Sequence, residues 1–229
     1  MIIRQLFDPD TSTYTYLLAD RATGEALLID PVIGQLERDL KLIEELGLTL
    51  KYSMDTHVHA DHITASGSLR KQTGCQTCLS SHAGVGCADI TLNEGDVIRL
   101  GGSEIHVLET PGHTDTCLSY VINQHVFTGD ALLIRGCGRT DFQQGSAERL
   151  YHSITEKLFA LPDDTLVCPG HDYQGMTVST IGEEKRFNPR LKLDLAGFIH
   201  FMKNLNLPAP HQIHQALPAN MACGERQDS

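Results

Sequence analysis

The sequence contains no tryptophan, only 6% aromatic residues and no long apolar run. A transmembrane helix needs about 20 consecutive apolar residues, so the sequence predicts no membrane-spanning segment. Basic residues are also few, with 18 Lys and Arg against 29 Asp and Glu and a net charge of -11. This balance argues against general binding to nucleic acid or to an acidic membrane, because both attract cationic proteins.

Signs of secretion are lacking as well. The first ten residues, MIIRQLFDPD, do not combine a charged region with an apolar one, as a signal peptide does. The seven cysteines form an odd, scattered set, which favours a reducing compartment over a disulfide framework. We therefore expect a cytoplasmic protein. Cys75 and Cys78 form a CxxC pair, but the second pair that a zinc ribbon needs is missing. A redox role is the less favoured interpretation of this pair.

The chain has 229 residues, of which 41% are hydrophobic, enough for one large domain with a substantial core. We predict a single domain over residues 1–229, with residues 205–229 as a C-terminal tail. Its β-β-α-β beginning favours an α/β fold. Apolar spacing and turn residues predict strands at 13–19, 25–29, 48–54, 97–100, 104–109, 118–122, 125–128 and 165–168, and helices at 36–46 (ended by Gly47), 63–72, 147–160 and 191–204.

Five short segments carry the residues that suggest chemistry. Four of them offer His or Asp side chains, and each of these follows a predicted strand. Loops at strand ends often hold active sites in α/β folds, and glycine lets the backbone approach a ligand closely. The segments are Thr56–His62 (THVHADH), Pro111–Thr114 (PGHT), Thr128–Asp130 (TGD), Gly136–Arg139 (GCGR) and Pro169–Asp172 (PGHD).

The first of these segments is dense in metal ligands. In extended backbone, His57 and His59 point the same way, and Asp61 and His62 follow at once. A lone histidine is more often structural than a ligand, but four such motifs in order over half the chain favour a metal site. Imidazole and carboxylate suit zinc or non-heme iron. With His113, Asp130 and His171 the candidates number seven, and spacing alone does not decide between one metal site and two.

These motifs resemble those of the metallo-β-lactamase superfamily over nearly the whole chain. The resemblance implies a four-layer αβ/βα sandwich with the metal at one sheet edge and a short C-terminal extension. Two branches come close. One is glyoxalase II, a binuclear thioester hydrolase, and the other is persulfide dioxygenase, a mononuclear iron enzyme.

Three features favour the dioxygenase branch. The stretch Arg139–Phe142, within ALLIRGCGRTDFQQG, is similar to the persulfide dioxygenase signature. Only 58 residues follow His171, whereas glyoxalase II has a longer helical C-terminal domain that holds glutathione. The tail LPAPHQIHQALPANMACG also resembles the dioxygenase C-terminus. The glyoxalase II-like hydrolase stays open as the alternative, because every residue that could hold a second ion is present.

The resemblance also assigns roles. It implies one Fe(II) held by His57, His113 and Asp130, with glutathione persulfide and O₂ as reactants and sulfite and glutathione as products. His171, Asp61 and Tyr173 are expected to act beside the metal. The resemblance places Tyr173 in the substrate pocket, and Asp141 is expected to bind substrate as well. Because glutathione is anionic and a guanidinium grips carboxylates, Arg139 is the first candidate to bind it, and Arg186 is a second-tier one. No nucleic acid or membrane partner is expected, and a homodimer is compatible with the sequence.

The remaining candidates have weaker support. Lys185 and Arg190 extend a basic cluster around Arg186, and a solvated helix face explains that cluster equally well. Cys137 lies inside the GCGR segment, where oxidation and inert packing are both plausible. The other histidines lack the strand-end context and are expected to be structural or exposed; they are His82, His106, His125, His152, His200, His211 and His214.

Overall fold

The computed structural model describes residues 1–209 and 212–225. Its strands are β1 (Ile2–Asp8), β2 (Thr13–Ala19), β3 (Glu25–Ile29), β4 (Thr49–Met54), β5 (Gln76–Ser80), β6 (Ile90–Leu92), β7 (Val97–Leu100), β8 (Ser103–Glu109), β9 (Leu118–Ile122), β10 (His125–Gly129), β11 (Leu166–Pro169) and β12 (Ser179–Thr180). Its α-helices are α1 (Leu36–Glu45), α2 (Ser66–Thr73), α3 (Ala147–His152), α4 (Ile181–Phe187), α5 (Leu195–Lys203) and α6 (Ile213–Asn220). The strands form two mixed six-stranded sheets, in the orders β1-β2-β3-β4-β5-β6 and β12-β11-β10-β9-β8-β7.

The described chain divides into two compact units. Unit 1 holds residues 1–92 and 97–105 and the described residues after 208. In its sheet, β3, β4, β5 and β6 run parallel, so the carboxyl ends of these strands share one edge. Buried apolar residues of β2 and β3 form its core with residues of α1 and α2, among them Leu17, Leu28, Ile43 and Leu69.

Unit 2 holds residues 93–96 and 106–208. Here β10 runs parallel to β11 and antiparallel to β9, and β9 is antiparallel to β8. Strands β8, β10 and β11 therefore run in one direction and end at the same edge. The core of unit 2 joins β10 and β11 to α3 and α5 through buried residues such as Val126, Val167, Leu150 and Phe198.

Most of the predicted elements are confirmed, several with the same bounds, such as the strands at 13–19, 25–29, 97–100 and 118–122. The helix predicted over 36–46 ends at Glu45, and Gly47 follows in the left-handed region at φ +63°. Glycine adopts that conformation at little cost, which is why helices often stop there.

Three predicted helices were wrong at their bounds. The helix predicted at 63–72 begins only at Ser66, because residues 63–65 bond through their backbone to residues 31–33. The one predicted at 191–204 begins at Leu195, since the Asp194 side chain caps it by accepting from the Gly197 amide at 2.8 Å. The one predicted at 147–160 is α-helical to His152, followed by a π turn over Ser153–Lys157 and a 3₁₀ turn over Leu158–Ala160.

Several elements were not predicted from the sequence. Strands β1, β5, β6 and β12 and helices α4 and α6 fall in stretches where the sequence predicts no element, and α6 lies within the predicted tail. Residues 210–211 and 226–229, which include His211 and the end of that tail, lie outside the described residues. The single-domain assignment stays a prediction. Within the described ranges, no helix combines the length and the apolar character needed to cross a membrane.

Candidate metal centre

Unit 1 gathers three histidines in the loop that follows β4. This loop starts at the carboxyl edge of the parallel strands β3, β4 and β5. His57, His59 and His62 are all buried, and their ring centroids lie 4.1 Å apart for the first pair and 4.2 Å apart for the second. The packing brings several nitrogen donors into one small volume.

Hydrogen bonds fix the tautomer of His57. The Thr56 hydroxyl donates to Oδ2 of Asp30 at 2.9 Å, and its oxygen lies 3.0 Å from Nδ1 of His57. Because a hydroxyl has one hydrogen, Thr56 must accept from His57, so Nδ1 carries a proton and, in the neutral ring, Nε2 carries the lone pair. This is the neutral form in which histidine binds a metal.

Asp30 plays the same part for His59. It lies directly after β3, where it accepts from the Thr56 amide at 2.7 Å and faces Nε2 of His59 at 3.1 Å. When Nε2 of His59 donates its hydrogen to Asp30, the lone pair of the neutral ring lies on Nδ1. His59, Asp61 and His62 can each offer one ligand atom within 4.8 Å of the others, so unit 1 contains a possible set of metal ligands by itself.

A second carboxylate, Asp55, lies buried beside this loop. Burial, and after it the nearby charge of Asp30, raise the pKa of Asp55 to about 7, against the hydrogen bonds from Ser66 and Thr64, which lower it. A second possible set of ligands is Asp30, Asp55 and His59, whose ligand atoms also lie within 4.8 Å of one another. Asp30, however, already accepts hydrogen bonds from Thr56 and His59, so we interpret this second group as support for the histidines.

In unit 2, one carboxylate faces two histidines. Asp130 follows β10 and His171 follows the parallel neighbour β11, while His113 lies in the loop after β8. Oδ2 of Asp130 is 3.6 Å from Nε2 of His113, and Oδ1 is 3.6 Å from Nε2 of His171. These separations are too long for hydrogen bonds, but they suit ligand atoms that share an ion at about 2.0–2.2 Å from each.

The second nitrogen of His113 supports this interpretation. Its Nδ1 lies 2.7 Å from the carbonyl oxygen of Arg139, which can only accept, so Nδ1 donates. The lone pair therefore lies on Nε2, the atom that faces Asp130. A backbone carbonyl that fixes the tautomer in this way is a common second partner of metal-binding histidines.

Two glycines permit the close approach of these groups. A Cβ placed on Gly138 would lie 2.4 Å from the carbonyl oxygen of Asp130 and 2.8 Å from the ring of His113. A Cβ on Gly170 would lie 2.8 Å from Oδ1 of Asp130. Since real Cβ atoms need more than 3 Å, any larger residue at either position would displace a candidate ligand.

The residues expected to act beside the metal lie close to candidate ligands. His171 is buried, and the ring of Tyr173 stacks on it at a centroid distance of 5.9 Å and an interplanar angle of 4°. Tyr173 is itself 73% exposed, which makes it accessible to a substrate. Oδ2 of Asp61 lies 2.8 Å from Nδ1 of His62. The catalytic roles of these residues stay predictions.

The predicted substrate-binding residues make internal contacts. Arg139 binds Asp141 through two parallel hydrogen bonds of 2.7 and 2.8 Å and donates to the carbonyls of Leu207 and Pro208. Its guanidinium is therefore used within the chain. Arg186 lies exposed in the last turn of α4, over the ring of Phe187. A role for Arg139, Asp141 or Arg186 in binding substrate stays a prediction.

The cysteines depart from the expectation of reduced thiols. Cys87 and Cys223, which are 136 positions apart, form a disulfide within unit 1. No spacing rule links them, so only the folded chain reveals the pair. Cys75, Cys78 and Cys137 are free and buried, and burial raises the pKa of each thiol, which makes them poor nucleophiles.

Sequence reasoning assigned no role to three residues around the histidine loop. Asp30 and Asp55 end parallel strands beside the loop, and the strand signals before them were visible in the sequence. The third is Asn220, the last residue of α6, whose amide bonds to the backbone of the loop. Nothing in the local sequence of the tail indicates that contact.

The chain is similar to known proteins of one superfamily. The profile of the metallo-beta-lactamase superfamily matches residues 8–171. The human and bovine proteins named "Persulfide dioxygenase ETHE1, mitochondrial" are 55% and 54% identical to the chain over 227 residues, which cover 98% of the chain and 89% of each relative. A crystal structure of ETHE1 from Myxococcus xanthus is 57% identical, covers 98% of the chain and 100% of its own, and superposes with a TM-score of 0.97.

The hydrolase branch is more distant. A hydroxyacylglutathione hydrolase from Cereibacter sphaeroides is 37% identical over 169 residues, which cover 71% of the chain and 64% of that protein. The predicted α/β fold class is confirmed by the family match, the two mixed sheets and the superposition. The chain belongs to the metallo-β-lactamase superfamily and, within it, to the family of the ETHE1 persulfide dioxygenases.

Proposed function

We propose that this protein is a non-heme iron persulfide dioxygenase that oxidises glutathione persulfide. The single observation that carries the proposal is the 55% identity to human persulfide dioxygenase over nearly the full length of both chains. The proposed reaction balances as glutathione persulfide plus O₂ plus H₂O giving glutathione, sulfite and two protons. Belonging to this family implies a metal, and the donors described above fit one.

We assign the metal to His57, His113 and Asp130, a set that rests on the resemblance to the family. The hydrogen bonds of His57 and His113 support the assignment, because each imidazole is held by Nδ1 and carries its lone pair on Nε2. Two neutral imidazoles and one carboxylate form the ligand set that suits Fe(II) with open positions. Iron bound there would supply a place where persulfide and O₂ meet.

The chain's own contribution is charge balance and orientation. One carboxylate and two neutral histidines leave a divalent ion with a net positive charge, which attracts the anionic persulfide sulfur. The carbonyl of Arg139 and the Thr56 hydroxyl hold the imidazoles in a fixed orientation, so the ligands do not have to reorganise when substrate arrives. Tyr173 offers an exposed phenol near His171 for contact with the bound reactants.

The alternative is a binuclear thioester hydrolase of the glyoxalase II type. One observation favours it: Asp130 turns one oxygen toward His113 and the other toward His171, as a carboxylate that bridges two ions does. His59, Asp61 and His62 supply further donors. Against it stands the lower identity and coverage of the hydroxyacylglutathione hydrolase.

Metal analysis and two assays separate these functions. Protein purified without added metal should contain about one iron per chain and consume O₂ with glutathione persulfide. About two zinc ions per chain, together with hydrolysis of S-lactoylglutathione and no O₂ uptake, would establish the hydrolase instead. The cytoplasmic location and the homodimer stay predictions, and the mammalian relatives carry "mitochondrial" in their names.

A further inference from the structure

The C-terminal helix α6 ends on a buried residue that holds the histidine loop. The side chain of Asn220 is 4% exposed and uses its whole amide. Its Nδ2 donates to the carbonyl oxygens of His59 and His62 at 2.9 and 2.8 Å, and its Oδ1 accepts from the Thr64 amide at 2.9 Å. One side chain from the far end of the sequence therefore binds three backbone groups of the candidate metal loop.

The loop needs such a partner because most of its backbone lies outside regular structure. Between the end of β4 and the start of α2, the chain forms no helix and makes only one isolated bridge, from Thr64 to Val32. Buried carbonyl groups must find donors, since each unsatisfied one costs free energy comparable to a lost hydrogen bond. Asn220 supplies donors for the carbonyls of His59 and His62 themselves.

The segment that carries Asn220 is itself fastened to unit 1. Helix α6 has only eight residues and contains Pro218, so it has little stability of its own. Three residues after Asn220, Cys223 forms the disulfide with Cys87, and its carbonyl accepts from the Gly67 amide at 2.8 Å. At Gly224, a Cβ would lie 2.0 Å from the Thr64 carbonyl oxygen, so the turn packs directly on the loop.

We propose that Asn220 is a positioning residue of the metal centre, held in place by the Cys87–Cys223 disulfide. This inference rests on the proposed function only in taking the His57–His62 loop as a metal-binding loop. Asn220 acts through the loop backbone, which it keeps in the arrangement that presents His57 to the ion and places His59 and His62 beside it. Groups of this kind commonly change metal affinity by about 10- to 100-fold.

The first test replaces Asn220 with aspartate. Asn220→Asp keeps the shape and the acceptor for Thr64, but it turns an oxygen toward the carbonyls of His59 and His62. The measurement is the rate at which Co²⁺-loaded protein releases its metal to a chelator. We expect release at least about tenfold faster than in the wild type. Gln215→Ala, on the exposed face of the same helix, is the matched control and should leave the rate unchanged.

A structural role alone would produce a different pattern. Two measurements separate a positioning role from a purely structural one: the thermal midpoint of the metal-free protein, and amide hydrogen exchange over residues 55–65. Faster metal release and faster exchange in the loop, in a variant that remains folded, support positioning. If folded Asn220→Asp releases Co²⁺ at the wild-type rate, the inference is wrong. Wild-type protein that binds Co²⁺ but, when loaded with Fe(II), oxidises no glutathione persulfide would refute the proposed function and leave this test intact.

The second test addresses the disulfide. Reduction of the wild type should speed metal release in the same direction as Asn220→Asp, because the turn after α6 loses its covalent anchor. Cys87→Ser should release metal at the rate of the reduced wild type and should not respond to reductant. A wild type whose release rate is the same in both redox states would show that the disulfide does not hold Asn220 in place.

Discussion

Replacing Gly138 with alanine should weaken metal binding far more than the same change at Gly136. The two glycines lie two residues apart in one loop, which makes them a matched pair. A Cβ at position 138 would meet the carbonyl oxygen of Asp130 at 2.4 Å and the ring of His113 at 2.8 Å. At position 136, nothing lies nearer than 3.9 Å.

The size of the effect follows from these distances. Non-bonded heavy atoms are most stable at about 3.5–4.0 Å, so the new methyl group must push the Asp130 carbonyl away by about 1 Å. That carbonyl accepts from the Gly138 amide at 2.7 Å, and its displacement also moves the Asp130 side chain. Overpacking of this kind costs about 1–3 kcal/mol of stability, and a ligand displaced by about 1 Å can cost about 10²-fold in rate.

Two measurements check this prediction. Iron content after dialysis against a chelator reports metal affinity, and O₂ uptake with glutathione persulfide reports the reaction. We expect Gly138→Ala to lose most of both, while Gly136→Ala stays within about 0.5 kcal/mol of the wild type in stability and close to it in activity. Equal iron content and activity in the two variants would refute the argument that the Asp130–His113 approach limits metal binding.

Three further predictions follow from the described contacts. Asp130→Asn should remove most of the bound iron, measured by metal analysis, because an amide lacks the charge that balances a divalent ion. Arg139→Lys should lower the free energy of unfolding by about 0.5–1 kcal/mol in a urea titration, since lysine cannot keep the paired bonds to the exposed Asp141. Burial raises the pKa of Asp39, so the folded state keeps that proton to higher pH and the free energy of unfolding falls as pH rises through that range. Asp39→Asn should flatten the fall, measured by urea unfolding at about pH 4 and pH 7.

The sequence predicts the placement of the candidate ligands well because each follows a strand. Parallel strands end at a common edge, so the THVHADH, TGD and PGHD segments had to lie at sheet edges once the strands were assigned. Strands β4, β10 and β11 confirm that placement. Asp30 follows the same rule. The register of β3 with β4, in which Ile29 faces Met54, puts it beside the histidine loop, but this register requires knowing that the two strands are parallel.

The contacts of the C-terminal segment could not be predicted in this way. Asn220 lies 161 positions from His59, and Cys223 lies 136 positions from Cys87. Local periodicity carries no information about such pairs, because they depend on where the tail returns along the sheet. The Pro-containing tail also gave no helix signal strong enough to assign α6, which is stabilised by tertiary packing of Ala216 and Asn220 more than by its own propensity.

Two of the sequence features that favoured the dioxygenase branch are one structural feature. In the sequence, the signature stretch around Arg139 and the short C-terminal segment are about 65 positions apart and look independent. In the structure, Arg139 pairs with Asp141 and donates to the carbonyls of Leu207 and Pro208, where that segment begins. The signature therefore fixes the chain as it leaves α5. Since the carbonyl of the same arginine also orients His113, a change in this stretch should alter both the path of the C-terminal segment and the orientation of this candidate ligand.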